Sequence, residues 1–507
     1  MPVSIVFCCA SFIKITCQKS KTRSDFSHFS IKLAQNFPKL LYNQHDGNAM
    51  KEELELRRYI DDWLAEWKNN PNHKPALIKG IRQSGKTHSI DRFIKKNYDV
   101  YIYLNFWTNP DLISVFDGEL DADKIIRELS VKMPLPDLVE GRTVFFFDEV
   151  QDCPRALLSL KTNEKDRRYD FIASGSYLGV SGYVVGDNTP KPAGNVDEFD
   201  MRTLDFKEFL WAKGYKDEQI KILEDAFYAR QPLSNSMHEA FTKLFREYLC
   251  VGGFPEAVKN YVLTNNIYSS LQITRRNTKD LQDGFGRRRD KDKKAVFQPN
   301  EVSRIRSAFS LVPSFLGKEN KRYIVSKIEG KGAKNAGKDA LEYLKDTGII
   351  FKVYNLDVPS LPLSINVIQN QYKVFPTDIG ILVGMLEDGT TDAIMSGDLG
   401  IGKGMLYEAI VAESLYKRGG KIFYFAKETG LRLDFVINMD GESTILEVKA
   451  VDGNAKSAKT VMNHPDHYGK TRLIKIKDSN IGYTDGVLII PHYMAYLLLK
   501  WSPIFPV

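Results

Sequence analysis

The pattern of apolar and polar positions divides the chain into blocks of different character. Between residues 50 and 215, short apolar runs recur at Ala76–Ile78, Val100–Asn105, Thr143–Phe147, Asp170–Ser174 and Asp200–Leu204. Each has the length of a strand, and stretches of helical periodicity lie between them. Glu53–Trp67 carries its apolar residues on one helical face ahead of the first run. Such alternation predicts an α/β domain with a largely parallel sheet covered by helices on both sides.

Residues 216–297 read as helices that give way to a strongly basic run, Gly284–Lys294. That run is compatible with contact to a phosphate backbone or with a solvated loop, and Glu329–Lys338 has the same two readings. Within 298–395, Ala340–Ile350 reads as a helix closed by the Gly348 cap and followed by a strand. A further short element begins at Val374–Asp378. Helices followed by a strand pair predict a winged-helix-like module, which either reads DNA or joins domains. From residue 400 the pattern changes again, with a helix over Lys403–Arg418 and strands at Lys421–Phe425, Arg432–Asn438, Glu442–Ala450 and Val487–Ile490. Residues 1–49 lack periodicity, and Met50 opens a good helix start, so 1–49 is expected to be an unstructured extension upstream of a natural start at Met50. The expected organisation is 1–49 extension, 50–215 first α/β domain, 216–395 helical linker and winged-helix region, and 396–507 second α/β domain.

The first apolar run leads into Gly80-Ile81-Arg82-Gln83-Ser84-Gly85-Lys86-Thr87, and a helical stretch, Ser89–Lys96, follows. Strand, glycine-bounded loop, Lys-Thr and helix is the phosphate-cradling P-loop. Its glycines allow a tight turn with close approach to phosphate oxygens. Its backbone N–H groups face an anion at a helix N-terminus. Lys86 is placed to meet the β- and γ-phosphates, and Thr87 offers a hydroxyl to Mg²⁺. Gly80, Arg82, Gln83, Ser84, Gly85, Lys86, Thr87 and His88 are the expected nucleotide contacts on this side. Some sixty residues on, Val144–Phe147 predicts a buried strand ending in Asp148-Glu149. Asp148 is expected to hold Mg²⁺ with Thr87, and Glu149 to orient and deprotonate an attacking water. Ser174 or Ser176, at the end of the next strand, is placed to meet the γ-phosphate or that water. Arg167, Arg168 and Arg202 are candidates for an arginine finger.

The last block carries a second constellation. Asp434 and Glu447 are separated by twelve residues, enough for one hairpin, and Glu447-Val448-Lys449 puts an acid and a lysine on the same face of a strand. Asp-x(n)-Glu-x-Lys is the pattern of restriction-endonuclease-like folds. Asp434 and Glu447 would hold a divalent cation, Lys449 would position water or offset the charge of a scissile phosphate, and Glu408 on the preceding helix would add a carboxylate. A salt-bridged hairpin without chemistry has the same spacing. His464 and His467 have no third ligand nearby and are expected to sit in a loop.

Composition narrows the setting. Hydrophobic residues make up 43% and charged residues 27% of 507, and the net charge is +7, which permits nucleic-acid contact without requiring it. The five cysteines, Cys8, Cys9, Cys17, Cys153 and Cys250, show no zinc spacing and suit a reducing, cytoplasmic setting. No apolar run reaches the ~20 residues of a membrane span, so no membrane partner is expected.

The order Gly-Ile-Arg-Gln-Ser-Gly-Lys-Thr, Phe147-Asp148-Glu149-Val150-Gln151, Ala173-Ser174-Gly175-Ser176 and Leu204–Phe209 resembles a family of prokaryotic AAA-type ATPases with an uncharacterised, nuclease-like C-terminal domain. Gly252-Gly253-Phe254-Pro255-Glu256 and Tyr372–Asp378 share the likeness, which runs from about residue 55 to 500. It implies ATP and Mg²⁺ as cofactors, an AAA-like core, a winged-helix middle and a restriction-endonuclease-like C-terminal α/β domain; AAA-like relatives often form rings, which leaves a homo-oligomer open without fixing it. The likeness supplies no known substrate: the last domain either acts on DNA or binds DNA or a protein partner without cutting. Ser181–Asn195 departs from the family by being a long loop where relatives carry a compact element.

Overall fold

The computed structural model describes residues 54–177, 194–285, 298–328, 333–398, 400–449 and 455–504. The expectations for 1–49, for Gly286–Lys294 of the basic run, for 329–332 and for 181–193 lie outside the described residues.

Helix α1 (Tyr59–Asn69) precedes β1 (Ala76–Gly80), α2 (Lys86–Asn97), β2 (Val100–Asn105), α3 (Ala122–Lys132), β3 (Thr143–Asp148), α4 (Pro154–Asn163), β4 (Asp170–Ser176) and β5 (Asp197–Met201). The five strands form one sheet in the order β2-β3-β4-β1-β5, with every pairing parallel. Strand β3 is buried along its whole length, because separate apolar cores cover the two faces of the sheet. Four of the predicted runs are strands at the expected places. The fifth begins three residues early, at Asp197 rather than Asp200.

Helices α5 (Phe206–Ala212), α6 (Asp217–Ala229), α7 (Asn235–Val251), α8 (Pro255–Thr264), α9 (Ile267–Asp283), α10 (Pro299–Ser310), α11 (Val312–Leu316) and α12 (Ala333–Asp346) follow. Then come β6 (Ile350–Leu356), β7 (Val367–Pro376), α13 (Ile379–Gly384), α14 (Thr390–Ser396), α15 (Lys403–Lys417), β8 (Phe423–Ala426), β9 (Arg432–Met439) and β10 (Glu442–Lys449). The chain closes with α16 (Lys456–Met462), α17 (Pro465–Tyr468), β11 (Thr471–Lys477), β12 (Gly482–Thr484) and β13 (Val487–Ile490).

The expected strand pair β6–β7 does not stand apart from the last block. Tyr354–Leu356 of β6 pairs in parallel with Phe423–Phe425 of β8, so one eight-stranded sheet runs β12-β13-β11-β10-β9-β8-β6-β7 across the expected boundary at 395/396. A single apolar core likewise joins α5–α9, the middle helices and the inner face of this sheet.

At the centre of that core lies a buried polar hub. Asp378, at the N-cap of α13, accepts hydrogen bonds from the N–H groups of Gly253 (3.0 Å) and Gly380 (2.9 Å) and from the Thr203 hydroxyl (2.5 Å). Lys417 Nζ reaches Asp378 (3.1 Å), Glu413 (2.5 Å), the Leu204 carbonyl (2.9 Å) and the Tyr248 hydroxyl (3.2 Å). A Cβ on Gly253 would stand 2.2 Å from the Leu204 carbonyl oxygen and 2.7 Å from Asp378 Oδ2, so only glycine lets these strands of chain meet. The Gly252-Gly253 and Asp378 motifs, 125 residues apart in sequence, are thus two halves of one structural contact.

Candidate nucleotide site and carboxylate cluster

The loop after β1 turns through residues whose conformations are unusual, with φ of 65° at Gln83 and 92° at Gly85. A Cβ at Gly80 would lie 2.3 Å from the Met201 carbonyl oxygen of β5, so the loop can leave the sheet here only as glycine. Gly85 is the N-cap of α2, and the first-turn N–H groups of α2 are the ones a helix leaves without internal partners. Lys86 Nζ lies across the loop mouth, donating to the carbonyls of Gly80 (3.1 Å) and Ile81 (2.9 Å). Burial pulls its ammonium down to about 8, against the attraction of Glu149 and Asp148.

The remaining loop side chains take different parts. Ser84 is buried, with its carbonyl accepting from Arg58. Gln83 reaches Asp280 on α9 at 3.4 Å, while Arg82 and His88 are exposed.

Across from the loop, Asp148 at the end of β3 is 3% exposed and fully engaged. Its Oδ2 accepts from the hydroxyls of Thr87 (3.0 Å) and Tyr103 (2.9 Å) and from Asn105 Nδ2 (3.3 Å). Its Oδ1 accepts from the Ser174 hydroxyl and the Glu149 N–H. Thr87 and Asp148 are hard oxygen donors side by side at a helix N-terminus, which fits Mg²⁺. Ser174 therefore supports Asp148. Ser176, whose Cα partner in β1 is Gly80, lies nearer the loop.

Glu149 sits in the left-handed region at φ 51°. Its carboxylate accepts from Gln151 Nε2, and Gln151 Oε1 accepts from the Ser176 N–H at 3.2 Å. Gln151 thus ties the acid expected to handle water to the end of β4. Sequence spacing passed over Gln151, Tyr103 and Asn105, although the Asp-Glu-Val-Gln run and the polar end of β2 hold their signal. Gln151→Ala is expected to lower kcat for ATP hydrolysis about tenfold, with KM little changed. Steady-state phosphate release checks this.

None of the three arginine candidates faces the loop. Arg167 binds the carbonyls of Pro71 and His73, and Arg168 pairs with Asp166 and Asp123, both ahead of β4 and so at the far end of the parallel sheet. Arg202 donates to the carbonyls of Lys417 and Ser502, each at 2.7 Å. Its position instead completes a relay. Arg58 donates to the carbonyl of Ser84 in the P-loop (3.0 Å) and to that of Arg202 (2.6 Å), while its Nε pairs with buried Glu208 at 2.9 Å.

A family model described as an AAA domain matches residues 72–210. This segment is an AAA-type P-loop ATPase domain. Two further models, both described as domains of unknown function (DUF8612 and DUF4143), match residues 242–392 and 403–494. No curated protein matches the chain. Among solved structures, a Walker-type ATPase of Pyrococcus abyssi is similar at 14% identity over 66% of this chain and 97% of that one, with a TM-score of 0.37. The ORC2 protein of Aeropyrum pernix is similar at 12% identity over 73% and 99%, with a TM-score of 0.32. A STAND protein with a tetratricopeptide-repeat sensor from Pyrococcus horikoshii is similar at 10% identity over 72% and 46%, with a TM-score of 0.23. These scores are those of partial likeness, and the assignment of the ATPase domain rests on the P-loop geometry and the AAA match.

Beyond the ATPase domain, the structure brings Glu408 of α15, Asp434 of β9 and Glu447 and Lys449 of β10 together. Strands β9 and β10 are antiparallel with Phe435 opposite Leu446, which sets Asp434 beside Glu447. Asp434 Oδ2 accepts from the Val448 N–H at 2.9 Å, and Lys449 Nζ pairs with Glu447 Oε1 at 2.5 Å. Burial, and then the charges of Glu408 and Glu447, hold the Asp434 carboxyl well above the usual carboxylate range. Glu447 Oε2 is buried without a hydrogen-bond partner.

Two lysines from the middle block complete the cluster. Lys321 pairs with Glu408 Oε1, and Lys373 of β7 approaches Glu408 Oε2 and the Asp434 carbonyl, both at 3.4 Å. Burial raises the Glu408 carboxyl, but the Lys373 and Lys321 ammoniums more than offset this and hold it below its ordinary value. Among the described residues no three His, Cys, Asp or Glu side chains are close enough to hold a metal ion together. Asp434 and Glu447 fit a cation by their crowded charge and the orphaned Glu447 oxygen. Glu408, saturated by two ammoniums, does not. His464 and His467 flank Pro465 at the start of α17, exposed, with His464 Nδ1 bonded to the Thr460 carbonyl at 2.8 Å. Among the described residues no helix is long and apolar enough to cross a membrane.

Proposed function

We propose that the chain is an ATP-hydrolysing protein whose nucleotide state controls the C-terminal unit, and that this unit is a metal-dependent, restriction-endonuclease-like nuclease acting on DNA. The observation that carries the reading is the buried relay from Ser84 of the P-loop through Arg58 and Arg202 to Lys417 at the end of α15, the helix that bears Glu408. Any shift of the P-loop on binding phosphates pulls on this relay. On the ATPase side, the P-loop amides and Lys86 bind phosphate oxygens, Thr87 and Asp148 hold Mg²⁺, and Glu149 takes the proton of the attacking water. An arginine finger supplied by a second copy of the chain, as in a homo-oligomer, would complete the site.

On the C-terminal side, Asp434 and Glu447 would hold a divalent cation that activates water and offsets charge on a phosphodiester. Lys449 orients the water or the phosphate. Helices α10–α12 would present DNA to this cluster, with β6 and β7 serving as the margin of the same sheet rather than as a separate wing. A second reading is favoured by the three lysines that balance the three carboxylates: the C-terminal unit binds DNA or a protein partner without cutting.

Cleavage of single-stranded, duplex and branched DNA with Mg²⁺ or Mn²⁺, with and without ATP, separates the two. Lys449→Ala is expected to slow ATP-stimulated cleavage about a hundredfold. Absence of cleavage by the wild type on all three substrates would leave the non-cutting switch.

A further inference from the structure

We infer that Lys321 and Lys373 are a latch with which the middle block withholds Glu408 from a cation at Asp434 and Glu447. The inference rests on the metal-dependent reading of that cluster. Both oxygens of Glu408 are taken by ammoniums that come from outside the helix–strand unit bearing Asp434, Glu447 and Lys449. Glu447 keeps one buried oxygen with no partner, so the cluster is built with a ligand position left unfilled on one side and doubly filled on the other.

The two lysines sit on segments that are joined to each other. Lys373 lies on β7, the edge strand of the eight-stranded sheet, whose ladder with β6 is broken by a register shift between Tyr354 and Asn355. The Lys321 segment is fastened to that same strand by the Tyr323 N–H, which donates to the Tyr372 carbonyl at 2.9 Å. Lys373 is also steadied over the rings of Tyr424 (5.0 Å) and Phe435 (5.4 Å).

Two univalent ammoniums and one divalent cation offset the same charge, so they compete directly for the carboxylates. With the latch closed, a cation has two side-chain carboxylates. With the Lys321 and Lys373 ammoniums swung away from it, Glu408 becomes free to serve as the third. The middle block then gates the C-terminal site without touching the ATPase site.

The test is Mn²⁺ binding to the full chain, followed by electron paramagnetic resonance without nucleotide. Lys321→Gln is expected to tighten Mn²⁺ binding about tenfold, and adding Glu408→Gln to remove the gain. Lys373→Gln is the second variant, and thermal denaturation identifies a variant that has lost its fold. Mn²⁺ binding that depends on Asp434 but is equal in wild type and both folded lysine variants would overturn the latch alone. Absence of any Asp434-dependent Mn²⁺ binding in all of them would overturn the metal-dependent reading and the latch with it.

Discussion

Glu149→Gln is expected to slow ATP turnover by about a hundred- to ten-thousandfold while leaving ATP affinity within a few fold of wild type. The substitution keeps the shape of the side chain and its contact with Gln151, and removes only the capacity to take a proton. Phosphate binding relies on the other bank of the site, the P-loop amides and Lys86, and Thr87 and Asp148 stay joined by their 3.0 Å hydrogen bond. The glutamate is committed to this place at some expense. It adopts a left-handed backbone, φ 51°, that a non-glycine residue seldom takes at the end of a strand. Fluorescent-nucleotide titration beside single-turnover phosphate release separates the two effects. Turnover that survives the substitution would show that another group handles the water.

The second large effect is on the fold. Lys417→Ala is expected to lower stability by about 3–5 kcal/mol, the range for breaking a buried ion pair by removing one partner. Its ammonium is the shared counter-ion of Asp378 and Glu413, both 0–1% exposed. Its loss would leave two carboxylates in the core with no cation beside them. Denaturant midpoints followed by circular dichroism measure this, and a shift no larger than that of a surface Lys→Ala would contradict it. Burial already pushes the Glu413 carboxyl up to about 7 from 4.5, despite the pull of Lys417. The folded chain therefore binds this proton more tightly than the unfolded chain. The stabilisation that follows is full below about 4.5 and drains away as pH rises through about 7. Glu413→Gln should flatten that part of the pH profile.

How much of this could be read from sequence depended on the distance between partners. The P-loop and the placement of Asp148 and Glu149 opposite it were legible because each is set by residues adjacent in the chain and by the strand that carries them. Four of five strands of the first sheet were legible for the same reason. The fifth was displaced because Leu204 looks like strand but serves the hub, its carbonyl accepting from Tyr248 and Lys417. Arg58 pairs with Glu208 at a separation of 150 residues, and Lys321 meets Glu408 across 87. No spacing rule connects such positions. The parallel pairing of β6 with β8 was hidden for a further reason: alternation reports which face of a strand is buried and says nothing of its neighbour in the sheet.

That pairing has a practical corollary for anyone dissecting the gene. A fragment starting at residue 396 would strip β6 from β8 and leave Phe423–Phe425 with an unsatisfied row of amides and carbonyls. It would be prone to self-association through that raw margin. The smallest piece that can be expected to behave in isolation also keeps Leu204 and α5–α9, which share the core of this sheet and complete the hub around Asp378 and Lys417.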